Sequence, residues 1–99
     1  MFSFFDSHSS IKFGANMALF YMERMPLNMA LKEQQFAAKS QVIIEKMNVQ
    51  IKEYRKQNKL NFYKVAQMGT AFKWALKDAG YDDDYVNNLT QWFVVKVKS

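Results

Sequence analysis

The amino-acid sequence predicts an all-α fold: a small bundle of about four helices that includes one long amphipathic helix and is elongated rather than compact. Three observations carry this. Apolar residues recur at three- and four-residue spacing along most of the chain. Only three Gly and one Pro interrupt its 99 residues, which favours long elements over a many-turned β fold. A hydrophobic content of 49%, with 16% aromatic, supplies a core at a length near the lower end for a self-sufficient domain.

Residues 1–9 read as an aromatic arm and 10–99 as a single helical domain. The arm holds Phe2, Phe4 and Phe5. Leaving such side chains in water costs ~1.5–3 kcal/mol each, so the arm is expected to pack on the body or on a neighbour. Ser9 or Ser10 is placed to cap a first helix running to about Arg24. Ile11, Ala15, Ala18, Met22 and Met25 keep helical spacing there. Phe13, Met17, Phe20 and Tyr21 widen the apolar surface beyond one stripe, which implies burial on several sides. Gly14 is either a weak point of this helix or a place of close approach.

Pro26 suits the first turn of a new helix better than the interior of an old one, so a break or kink falls at Met25–Pro26. From there to about Gln57 the pattern is nearly continuous. Ala37, Ser40, Ile44, Met47, Ile51 and Tyr54 alternate by three and four as a heptad seam, flanked by Phe36 and Ile43. Such a helix of about 32 residues would measure roughly 48 Å. A compact chain of this size has a diameter near ~33 Å, so the helix is expected to overhang its domain and meet a partner or another copy.

Asn58–Leu60 reads as a turn and Asn61 as the cap of a third helix over Phe62 to Ala79. Phe62, Val65, Ala66, Gly69, Phe72, Leu76 and Ala79 share its apolar face, and Gly80 is the stop. Asp82–Asp84 supply capping carboxylates for a fourth helix with Tyr85, Val86, Leu89, Phe93 and Val97 inward. Residues 93–98 also alternate as a strand would, but a lone terminal strand has no evident partner.

Catalytic residues are not found. The chain has no Cys, and its one histidine, His8, stands in the arm beside Asp6 and Ser7, where nothing orients it as a base. The Asp82–Asp84 triplet lacks the glycine and the closing glutamate of a calcium loop, and Gly14, Gly69 and Gly80 form no phosphate loop. No metal, cofactor or small-molecule substrate is expected. The absence of Cys, and a first ten residues that carry Asp6 but no positive charge, favour a cytoplasmic place or the interior of an assembly over secretion. The apolar run Gly14–Met22 is too short for a membrane span.

The net charge of +5 is regional: residues 46–64 hold six of the 14 cations and one of the nine acids. Lys46, Lys52, Arg55, Lys56, Lys59 and Lys64, with Tyr54 and Tyr63 between them, are the candidates for binding phosphates or an acidic protein surface. The competing reading is a solvated helix end whose cations suit its dipole. Lysine dominance argues against base-specific readout, and a helix-turn-helix over 62–93 would lead into DNA with three aspartates. The surplus of apolar side chains marks an interface: Phe2, Phe4, Phe5, Phe13, Met17, Phe20 and Tyr21, the seam residues Ala37, Ile44, Met47, Ile51 and Tyr54, and Trp74. The function expected is that of a non-enzymatic interaction protein, self-associating or docking as a small subunit of a larger assembly, a viral particle among the candidates. The alternatives are a nucleic-acid-associated protein using 46–64 and, less favoured, a peripheral membrane protein inserting the arm and first helix.

Overall fold

The structure, a computed structural model, describes residues 8–25 and 32–99. Among the described residues, four helices form: α1 (His8–Arg24), α2 (Glu33–Gln57), α3 (Phe62–Asp78) and α4 (Asp83–Lys98). No strand occurs among the described residues, and 93–98 is helical. Phe2, Phe4, Phe5 and Pro26 lie outside the described residues. Helix α1 begins at His8, ahead of the Ser9 or Ser10 expected to cap it, and α1 and α2 are two separate helices.

The ends of α3 and α4 follow local chemistry. Asn61 Oδ1 accepts the Lys64 amide at 2.8 Å, and Asp82 Oδ2 accepts the Tyr85 amide at 3.1 Å, each satisfying an amide that a helix start leaves without a partner. Gly80 takes a φ of 99°, which residues with a Cβ rarely adopt, and turns the chain from α3 into α4.

The long helix differs from expectation. It starts at Glu33 and has 25 residues, about 37 Å, because Lys32 is already extended (ψ 158°). The Lys32 amide donates to Gln35 Oε1 at 3.1 Å, which stops the helical ladder there. No overhang results. The bundle as a whole is still elongated, as expected, at 49 × 24 × 18 Å, while its radius of gyration of 13.8 Å is close to the ~13 Å of a compact chain this long.

Cross-helix contacts define the topology. Ser9 and Phe13 meet Tyr54, and Tyr21 meets Ser40, so α1 and α2 are antiparallel. Gly14 lies against Met68 and Met25 against Tyr81, so α1 and α3 are parallel. Gly69 faces Val94 and Phe72 faces Phe93, which makes α3 and α4 antiparallel. Neighbours around the bundle run α1, α3, α4, α2, and the α2–α3 connection crosses a diagonal. The α1–α3 pair is the tightest, its backbones brought together at Gly14. Helix α2 reaches α1 and α4 mainly through long side chains.

The core is apolar and aromatic, with Tyr21, Met47, Ile51, Met68, Phe72, Leu76, Val86 and Phe93 fully enclosed. The Phe72 and Phe93 rings stack at 4.4 Å and 13°. On α2 the buried line is Ile43, Met47 and Ile51, while Ala37 is exposed. A seam read at 3.5 residues drifts around a helix that turns every 3.6, and α2 packs on two helices rather than on one coiled partner. Likewise on α3, Met68 is buried, whereas Phe62, Ala66 and Ala79 are exposed.

Two buried phenols couple the fold to alkaline pH. Burial pushes the Tyr21 hydroxyl above its ordinary value; the Ser40 hydroxyl at 3.5 Å partly opposes this, and Tyr81 adds to it. Burial likewise raises Tyr81, which donates to the Met25 carbonyl. Below the ordinary phenol range, near ~10, both folded and unfolded chains hold these protons, and the stability is fully present. Above it the unfolded chain ionises first, so stability falls as pH rises through the folded values. Melting temperature should therefore drop as pH rises above ~10, and Tyr21→Phe should drop less than wild type. Equal losses would assign the alkaline transition to other groups.

Candidate functional site

The six cations singled out on 46–64 do not form one patch. Lys46 and Arg55 lie about half a turn apart around α2. Lys52 and Lys56 are exposed on its outer face, and Lys64 is half-buried on α3. Arg55 and Lys59 do converge, with Lys98 from the end of α4, on a hollow of about 470 Å³ at the α2–α3 corner. Its apolar wall is Leu60, Phe62, Val65 and Val97, and Asn58 and Asn61 complete it.

The local chemistry leaves the cations as its open polar groups. Asn58 Nδ2 donates to the Tyr54 carbonyl at 2.9 Å, closing the end of α2, and Asn61 caps α3. No carboxylate lines the hollow. Glu53, the one acid of the segment, accepts from Gln57 Nε2 at 2.9 Å. Among the described residues the ion pair is Arg24–Glu23, at 3.5 Å, remote in sequence from this corner. The carboxyl ends of α2 and α4 meet here with the amino ends of α1 and α3, so the helix dipoles largely offset one another. Side-chain charge then sets the sign of the field, and a concave wall concentrates it.

Phe62 is the unexpected member. It is 81% exposed, the most exposed large apolar side chain among the described residues. It borders the 470 Å³ hollow and also a second one of about 230 Å³, formed with Val65, Ala66, Val94 and Lys98 between α3 and α4. Its position predicts this in part: Phe62 stands about 80° around α3 from Phe72, at the rim of the apolar face rather than its centre. Lys98 gave no signal, because only the fold brings the end of α4 beside the end of α2.

The residues expected at a protein interface divide sharply. Met17, Tyr21, Met47 and Ile51 are core and offer nothing to a partner in this fold. Phe13 and Tyr54 are half-buried and stack on each other at 4.1 Å and 17°. Phe20 lies under the Arg24 guanidinium, 3.5 Å from its ring centre. Ile44 shares a groove of about 260 Å³ with Trp92 and Lys96. Ala37 is exposed, and Trp74 is half-exposed with the Lys73 and Lys77 ammonium groups 5.4 and 5.6 Å from its ring. Among the described residues there is no group of three or more potential metal ligands, and no helix is long and apolar enough to cross a membrane. Compared with family models, curated proteins and solved structures, the chain has no match.

Proposed function

We propose that this is a non-enzymatic helical contact protein that docks an acidic partner on its α2–α3 corner. The observation that supports this is the pairing of an 81%-exposed Phe62 with Arg55, Lys59 and Lys98 around one concavity that holds no carboxylate. Exposing a phenylalanine to water costs ~1.5–3 kcal/mol relative to burying it, so a ring left at the lip of a basic hollow suits a partner that covers it. Three cations without acidic partners suit a ligand that brings negative charge. The seam on α2 is less suited to docking, since packing against α1 and α4 already occupies Met47 and Ile51.

Retention on a heparin column, a generic polyanion, tests the location. The variant R55S/K59S/K98S should elute at clearly lower salt than K12S/K46S/K64S, which removes the same charge elsewhere. Equal elution would mean that net charge alone drives binding and that the corner is not the contact.

A further inference from the structure

We infer that the acidic ligand of this corner is single-stranded nucleic acid, held by phosphates on Arg55, Lys59 and Lys98 and by a base laid against Phe62. The inference rests on the contact reading above and narrows it.

Three features favour this ligand over other polyanions. First, Phe62 stands between two hollows, so its ring is open to a flat partner. Every nucleobase has such a face, whereas an acidic peptide offers carboxylates without a planar group at each step. A duplex keeps its bases stacked inside and could use only its phosphates here. Second, the site is concave, at about 470 Å³ within the ~300–1,000 Å³ range of clefts that enclose a small group. A bilayer presents a broad flat surface rather than a small group that enters a hollow. Third, Lys52 and Lys56 stand one helical turn apart on the outer face of α2, Lys56 about 100° around the helix from Arg55, and add positive charge beside the hollow. The predominance of lysine suits phosphate contact without base-specific readout.

Fluorescence anisotropy with a labelled 12-nucleotide oligo-dT, the same length of duplex DNA, poly-glutamate and anionic vesicles (phosphatidylserine in phosphatidylcholine) separates the possibilities. Oligo-dT should bind more tightly than the duplex, with log affinity falling against log salt at a slope near about −2 for three phosphate contacts. Phe62→Ala should weaken oligo-dT binding roughly tenfold, the effect of losing one stacked base, and leave any duplex binding unchanged. Because Phe62 is exposed, its loss should not unfold the bundle, which circular dichroism would verify. K59S/K98S should lower the magnitude of the slope by about 1.4. Binding of all the polyanions alike, indifferent to Phe62, would overturn the nucleic-acid assignment and keep the acidic-partner reading. Binding to the vesicles alone would also overturn the assignment. If none of the four probes binds, both readings fail.

Discussion

Gly14→Ala should lower the melting temperature by about 10 °C, even though alanine is the better helix former by ~1 kcal/mol. A Cβ at this position would overlap the Met68 carbonyl oxygen and lie 3.0 Å from its carbon and 3.2 Å from its Cα. These are backbone atoms inside α3, and no rotamer change can move them away. Helix α1 would have to shift off α3, loosening Met17, Tyr21 and Met68 together. Overpacking of this kind costs about 1–3 kcal/mol and sometimes more, which outweighs the propensity gain. Gly69→Ala is the internal control. Its Cβ would meet only Val94 Cγ2, at 2.7 Å, a single side-chain methyl on α4 rather than a backbone carbonyl, so a small local shift relieves it. A thermal scan should place Gly69→Ala within a few degrees of wild type and Gly14→Ala far below both. If the two variants melted together, the close approach of α1 and α3 would not be what limits position 14.

The second large effect belongs to Phe93. The ring is fully enclosed, stacks on Phe72 at 4.4 Å and lies 6.4 Å from Phe13, so it joins α1, α3 and α4 in one aromatic layer. Phe93→Ala should cost about 3–5 kcal/mol through lost burial and an unfilled cavity, with the aromatic pair contributing part of it. Domains of this size have only about 5–15 kcal/mol in total, so the variant should be marginally folded at best. Phe93→Leu should recover much of the loss by refilling the space. In urea titrations the midpoint of Phe93→Ala should fall well below that of Trp74→Ala, because Trp74 is half-exposed and closes no cavity. Matching midpoints would show that the aromatic layer does not hold the helices together.

Legibility in the sequence followed the range of the interaction. Caps and stops are local, and Asn61, Gly80 and Asp82 behave as their chemistry predicts. The inward face of α4 was equally plain, since Val86, Leu89, Phe93 and Val97 keep helical spacing. Faces set by two neighbours were harder. The α2 seam was read around the wrong centre because periodicity does not reveal that α1 and α4 flank the helix. Helix α2 begins at Glu33 because Lys32 is extended, a local backbone conformation that periodicity does not signal. At the corner, Arg55 and Lys59 could be singled out from charge density alone. Lys98 could not, because its place beside them depends on α2 and α4 running parallel. Phe62 was assigned to the apolar face by spacing, and its exposure follows from its position at the rim of that face.

The intimacy of α1 with α3 also bears on how the chain reaches its fold. The closest pair is not sequential: all of α2 lies between Gly14 and Met68. Bringing those residues together closes a loop of about 50 residues, an entropic cost met before the contact returns anything. A plain up-and-down bundle, in which each helix docks on the one made just before it, avoids that delay. Here the first helix emerges from the ribosome with its glycine face unmatched and waits for the third. The cost of placing the tightest junction between non-neighbours is a higher contact order, and therefore slower folding, than four consecutive helical hairpin contacts would give.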